Sequence, residues 1–217
     1  MEETYGEFYQ CCQESTFHDG DIDQIITSLI EFQSNSNDHS QKSYALLLVG
    51  AVLDSCELND TQAEQVSEHA IATLKGLDVF DVVGPDGQFI HYLNHAAVLI
   101  EALSRQTNVQ PAQLSTLYTA LLQAYLRAPE SLGHNEAIVI AEILLKESGA
   151  EFNTLLKALE PSTPSQNVSM IDFIAMENNK RNLWMSMFVI NSTQQQHEQG
   201  RFKPVIESMM EQYFPED

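Results

Sequence analysis

Two segments of the chain are apolar on nearly every side of a helix, and they constrain the fold more than any other feature. Residues 44–53 contain no charged side chain, and residues 137–145 contain one, Glu142. A helix that lacks a polar face is buried inside a protein. Both segments are shorter than the roughly 20 residues that cross a bilayer. The sequence therefore predicts two interior helices against which the rest of the chain packs.

The other apolar residues recur at intervals of three and four, which is typical of amphipathic helices. Stripes of this kind occupy residues 22–30 and 63–77, and a long segment from residue 170 carries the only tryptophan, Trp184. We expect the polar middle of that last segment, residues 177–182, to be exposed. The pattern predicts an all-α protein of about ten helices, packed as antiparallel pairs in a HEAT/armadillo-like stack or as an irregular helical bundle.

Residues 79–92 are compatible with either a helix or one short β-hairpin. Valine and phenylalanine residues flank the turn sequence Gly84-Pro85-Asp86-Gly87, as in a hairpin with a four-residue turn. In that case Asn94 would cap a helix that begins at the next residue. We favour instead a longer helix that starts near residue 88, and only this longer helix would put His91 and His95 on one face.

The chain is long enough to form one large domain, and we predict a single helical domain over residues 1–217. Residues 161–167, with two prolines and two serines, form the clearest linker. We therefore keep residues 168–217 as a candidate separable C-terminal helical cap.

Acidic residues outnumber basic residues by 31 to 10, which gives a net charge of -21. The first 70 residues hold 14 of the acids and a single base, Lys42. Such a charge repels nucleic acid and anionic membranes and attracts basic partners. We predict a module that binds a basic protein, as an inhibitor or immunity-type protein, an adaptor or a bacterial effector. The acidic first third of the chain, which includes Glu57, Asp60, Glu64 and Glu68, could meet that partner.

The histidines suggest an alternative function, a metal-dependent hydrolase. His91 and His95 are four residues apart, so on a helix both could bind one ion, and His134 could supply a third ligand. Glu136 or Glu101 would act as the general base. The cofactor would be zinc or another divalent metal, whereas the binding function requires none. The H-E-x-x-H pattern is absent, because Tyr92 follows the first histidine.

Other catalytic signals are missing, so we expect the protein not to be an enzyme. The sequence has no G-x-S-x-G elbow and no P-loop. Its three cysteines, Cys11, Cys12 and Cys56, form neither a disulfide framework nor a C-x-x-C pattern. The acidic N-terminus is unlike a secretory signal, and we predict a cytoplasmic location.

Overall fold

The computed structural model describes residues 2–15, 17–84, 87–146, 152–164, 168–193 and 203–214. These residues form ten α-helices and one isolated β-bridge, so the predicted all-α fold is confirmed. The helices are α1 (Glu2–Glu14), α2 (Asp19–Asn35), α3 (His39–Leu53), α4 (Asp60–Lys75), α5 (Tyr92–Ser104), α6 (Pro111–Leu126), α7 (His134–Lys146), α8 (Phe152–Ala158), α9 (Met170–Thr193) and α10 (Lys203–Tyr213).

Residue contacts divide the chain into two compact units, Met1–Leu121 and Leu122–Asp217. The division falls inside α6 and does not coincide with the predicted linker 161–167, of which residues 165–167 lie outside the described part. The single domain 1–217 and the cap 168–217 both stay predictions.

The core of the first unit is the contact between α3 and α5. The predicted interior helix is confirmed, because α3 buries Ala45, Leu46, Val49, Ala51, Val52 and Leu53. A Cβ atom added at Gly50 would lie 3.7 Å from the Cα atom of Leu99 on α5, which is ordinary van der Waals contact. The two helix backbones therefore lie close together, with space for one methyl group between them.

The segment before α5 differs from both forms that we expected. The longer helix from near residue 88 is wrong, because the backbone at His91 is not helical, with φ −124° and ψ 51°. Val83 and Phe89 form an isolated antiparallel bridge rather than strands. The Ile90 N–H donates to the Val82 carbonyl at 2.8 Å. Pro85 and Asp86 lie outside the described residues.

Helix α5 begins at Tyr92, and His91 occupies the position that precedes it. Asn94, which we expected to cap the helix if a hairpin formed, lies inside α5 instead.

In the second unit, α9 packs against α7 and α10. Trp184 is fully buried, and its indole N–H donates to the Leu159 carbonyl at 3.0 Å. The second predicted interior helix is confirmed over most of α7, where Ala137, Ile140, Ala141 and Leu144 are buried. Ile138, however, is 42% exposed.

The middle of α9 contradicts the predicted exposure of residues 177–182. Asn179 and Lys180 are buried, and Arg181 alone in this stretch is exposed. The Asn179 side chain accepts a hydrogen bond from the Leu132 N–H at 2.8 Å and donates to the Glu130 carbonyl at 3.2 Å. Asn179 is buried because it provides partners for backbone groups in the turn before α7, whereas Lys180 donates to the Glu160 carbonyl after α8.

Candidate functional site

The two histidines that the sequence singled out are adjacent at the start of α5. The His95 N–H donates to the His91 carbonyl at 2.8 Å, and the ring centroids are 5.8 Å apart. We expected this proximity only from the longer helix, and that restriction is wrong. A residue at the cap position still lies one turn before the fourth residue of the helix.

Ser43 on α3 holds both histidines in position. Its hydroxyl lies 2.8 Å from His95 Nδ1 and accepts a hydrogen bond from the His91 N–H at 3.1 Å. The Ser43 carbonyl lies 3.0 Å from the same Nδ1 atom. Ser43 is 0% exposed, so it is inaccessible as a nucleophile. Its contacts instead link α3 to the first turn of α5.

The sequence analysis missed Ser43, although a signal was present. A serine next to the first interior segment has to find a hydrogen-bond partner if that helix is buried. The prediction of an interior helix therefore implied a polar partner opposite Ser43, and His95 is that partner.

Burial controls the chemistry of this cluster. It lowers the pKa of His95 to about 4, an effect to which the neighbouring His91 contributes and which the Ser43 carbonyl partly opposes. At neutral pH His95 is therefore uncharged. Its Nδ1 atom is occupied by Ser43, so only Nε2 could bind a metal ion. The Nδ1 atom of His91 is buried without a hydrogen-bond partner, and the ring stacks on Phe89 at 5.6 Å.

Of the other proposed metal-site residues, only Glu101 belongs to the same unit as this pair. Glu101 lies six residues beyond His95 on α5, about 9 Å along the helix axis, and forms an ion pair with Arg105 at 3.1 Å. His134 and Glu136 belong to α7 in the second unit, where Glu136 is buried and the His134 side chain lies outside the described part.

Among the residues that the structure describes, no three His, Cys, Asp or Glu side chains are grouped so as to hold a metal ion. The site formed by His91, His95 and His134 stays a prediction. Metal analysis of protein purified without a histidine tag, beside a variant with His91→Ala and His95→Ala, would test it.

The four acids proposed to meet a basic partner are all exposed and follow one another along α4 and the residues before it. We call Glu57, Asp60, Glu64 and Glu68 the acidic ridge. On a helix, a spacing of four residues corresponds to about 6 Å along one face. The last three carboxylates therefore form a row on the side of α4 that faces water.

The capping box at the start of α4 is formed by Asn59 and Gln62 and uses none of the ridge carboxylates. Asn59 caps α4, with its side chain accepting from the Gln62 N–H at 3.0 Å, and the Gln62 side chain accepts from the Asn59 N–H at 2.8 Å. Glu64 therefore has no role in the capping box. The opposite face of α4 buries the predicted stripe of Ala63, Val66, Ala70 and Leu74.

Glu57 is held at the start of the ridge by Thr107. The Thr107 N–H donates to Glu57 Oε1 at 3.0 Å, and the Thr107 hydroxyl donates to the same oxygen. Both hydrogen bonds lower the pKa of Glu57, so its carboxylate remains charged at neutral pH.

No known protein matches this chain. Comparison with protein-family models, curated protein sequences and solved structures finds nothing similar. Among the described helices, none combines the length and the hydropathy that a bilayer-spanning helix needs.

Proposed function

We propose that the protein is an acidic interaction module that binds a basic protein surface through the acidic ridge. It would act in the cytoplasm as an inhibitor or immunity-type protein, an adaptor or a bacterial effector. Nucleic acid would be excluded by charge, because Met1–Leu121 holds 18 acidic and three basic residues.

The observation that carries this proposal is that the ridge weakens the helix on which it lies. Asp60 and Glu64 are four residues apart, as are Glu64 and Glu68, and all three are exposed. Like charges at this spacing destabilise a helix by about 0.2–0.5 kcal/mol per pair. Asp60 offsets part of that cost at the helix N-terminus. Glu64 and Glu68 have no comparable benefit to the fold, which supports a role in binding.

The three bases of the unit also leave most of its carboxylates without a cationic partner. Arg105 is already shared between Asp54 and Glu101. A basic surface would supply the missing countercharges and would be attracted from a distance. Association with it should weaken as the salt concentration rises, because salt screens exposed charges.

The test compares two variants with equal changes in net charge. The ridge variant carries Glu64→Gln and Glu68→Gln, and the control carries Glu7→Gln and Glu31→Gln, which are exposed positions of the same unit outside the ridge. Binding to a lysine-only peptide is measured by titration calorimetry at low and high salt. We expect binding by the ridge variant to be about twofold to thirtyfold weaker, since each exposed pair contributes about 0.2–1 kcal/mol.

The same comparison is then made on proteins captured from a cell extract. A protein retained by the wild type and by the control, but lost with the ridge variant, would be the expected partner. Equal loss in both variants would show that net charge alone is responsible. Binding that does not change with salt would contradict the electrostatic mechanism.

A further inference from the structure

The first unit also contains a concave site, and none of the residues of the acidic ridge lines it. It is a cleft of about 310 Å³, close to the lower limit of about 300–1,000 Å³ for small-molecule pockets. The ends of α2 and α4 and the starts of α3 and α5 form its walls. The side chains in these walls that can form hydrogen bonds or ion pairs include Gln33, His39, Lys42, His69, Asp78 and Tyr92.

Two opposite charges line this cleft without neutralising each other. Lys42 projects from α3, and Asp78 follows α4. Neither makes an ion pair with any residue that the structure describes, either with each other or elsewhere. A ligand that supplies one carboxylate and one ammonium group could therefore pair with both.

The hydrogen-bonding groups of the cleft also divide into donors and an acceptor. Lys42 brings three N–H donors, and the buried amide of Gln33 and the imidazoles of His39 and His69 add more. Burial lowers the pKa of His69, so this imidazole is uncharged at neutral pH and retains one N–H. These donors require an acceptor such as a carboxylate. Asp78, in contrast, can only accept, and requires a donor such as an ammonium group.

The phenol of Tyr92 connects the two sides. Its oxygen lies 3.4 Å from His39 Nδ1. Burial, together with the charges of Asp78 and Asp38, raises the pKa of Tyr92 to about 12, so the phenol stays protonated. Its ring and Leu77 provide the apolar part of the wall.

We propose that this cleft binds a small zwitterion of the size of a free amino acid, with its carboxylate at Lys42 and its ammonium group at Asp78. The charge of the unit argues against a simple anion, because 18 acids against three bases repel negative ligands. A simple amine would leave the donors at Lys42 without an acceptor.

The experiment is an NMR titration of the full chain, following backbone amides, with each of the common amino acids. For any amino acid that shifts the cleft signals, the same carbon skeleton without the ammonium group and without the carboxylate is titrated next. The variants Lys42→Gln and Asp78→Asn remove one charge each. Lys75→Gln and Asp81→Asn, both at exposed positions outside the cleft, are the matched controls.

We expect at least one amino acid to bind, both truncated analogues to bind at least tenfold more weakly, and both cleft variants to lose tenfold or more in affinity. The controls should bind like the wild type. Equal binding of the carboxylate-only analogue, no effect of Asp78→Asn, or no shift with any amino acid would each overturn the proposal. Thermal unfolding of every variant shows that a loss of binding is not a loss of fold.

Discussion

Two clusters of buried polar residues, one in each unit, show that residues with different appearances in the sequence can have the same role in the fold. In the first unit Ser43, His91 and His95 meet where α3 contacts the start of α5. In the second unit Asn179 and Lys180 lie within the middle of α9. The first resembled a site for chemistry in the sequence and the second resembled solvent-exposed helix. Both provide hydrogen bonds that join elements of the fold.

The two clusters differ in how their hydrogen bonds depend on pH. Asn179 has an uncharged amide that makes its bonds at any pH. The Lys180 ammonium donates to the Glu160 carbonyl, the Ser162 hydroxyl and Glu177, all within 3.0 Å. The cluster at Ser43 relies on an imidazole that has to remain neutral. The comparison teaches that a buried polar group is tolerated when its bonding is complete, and that its chemistry then determines which conditions disturb it.

The largest effect is expected from breaking the second cluster. Asn179→Ala removes the partners of the Leu132 N–H and the Glu130 carbonyl, whereas the Tyr125 carbonyl keeps the Ala128 N–H at 3.4 Å. Each buried group left without a partner costs about 1–3 kcal/mol. We expect the free energy of unfolding to fall by about 3 kcal/mol, measured by urea denaturation. The adjacent Asn178→Ala, at a half-buried position, is the control and should change it by less than about 0.5 kcal/mol. Similar losses in both variants would show that the amide of Asn179 has no special role.

This contrast also shows what the sequence could and could not predict. The helices and the buried stripes followed from periodicity, because burying one face of a helix imposes a repeat of three and four residues. Asn179 and Ser43 could not be located in that way. Their partners are 47 and 52 residues away in the chain, at Leu132 and His95, and periodicity contains no information about such pairs.

The start of α5 was misjudged for a related reason. The periodicity of residues 88–91 suited a helix, but their backbone bonds to residues 82–84 instead, with the Gly84 N–H donating to the Gln88 carbonyl and the Ile90 N–H to the Val82 carbonyl. For Glu64 and Glu68, the alternation of acids with the buried stripe of α4 already implied exposure, and both are exposed.

A smaller effect is expected from acid, and only in the first cluster. The unfolded imidazole protonates near pH 6.5, whereas the folded pKa of His95 is about 4. Stability from this group is therefore fully present above pH 6.5 and is lost as the pH falls towards 4. We expect a loss of about 2 kcal/mol between pH 7 and pH 5. His95→Asn keeps a polar atom near Ser43 but cannot titrate there.

The measurement is the difference in unfolding free energy between wild type and His95→Asn at a series of pH values. Subtraction is needed because protonation of the many carboxylates changes stability as well. As the pH is lowered, the unfolding free energy of the wild type should fall relative to that of His95→Asn. A difference that is constant with pH would mean that His95 is solvated or charged in the folded protein. The same series applied to Asn179→Ala should give a constant difference, which separates the two clusters.

The smallest effect is expected from Ser43→Ala, because the first cluster contains an alternative hydrogen-bond partner that the second lacks. His95 Nδ1 lies within 3.0 Å of both the hydroxyl and the carbonyl of Ser43, so removing the hydroxyl leaves one acceptor in place. The His91 N–H alone loses its partner. We expect the unfolding free energy to fall by about 1 kcal/mol, a third of the loss in Asn179→Ala. Ser55→Ala, whose hydroxyl donates to the Ala51 carbonyl from a half-buried position two residues beyond α3, serves as the control for removing a serine hydroxyl from this part of the chain. A loss as large as that of Asn179→Ala would show that the serine hydroxyl, rather than its carbonyl, is the main hydrogen-bond partner of His95 Nδ1.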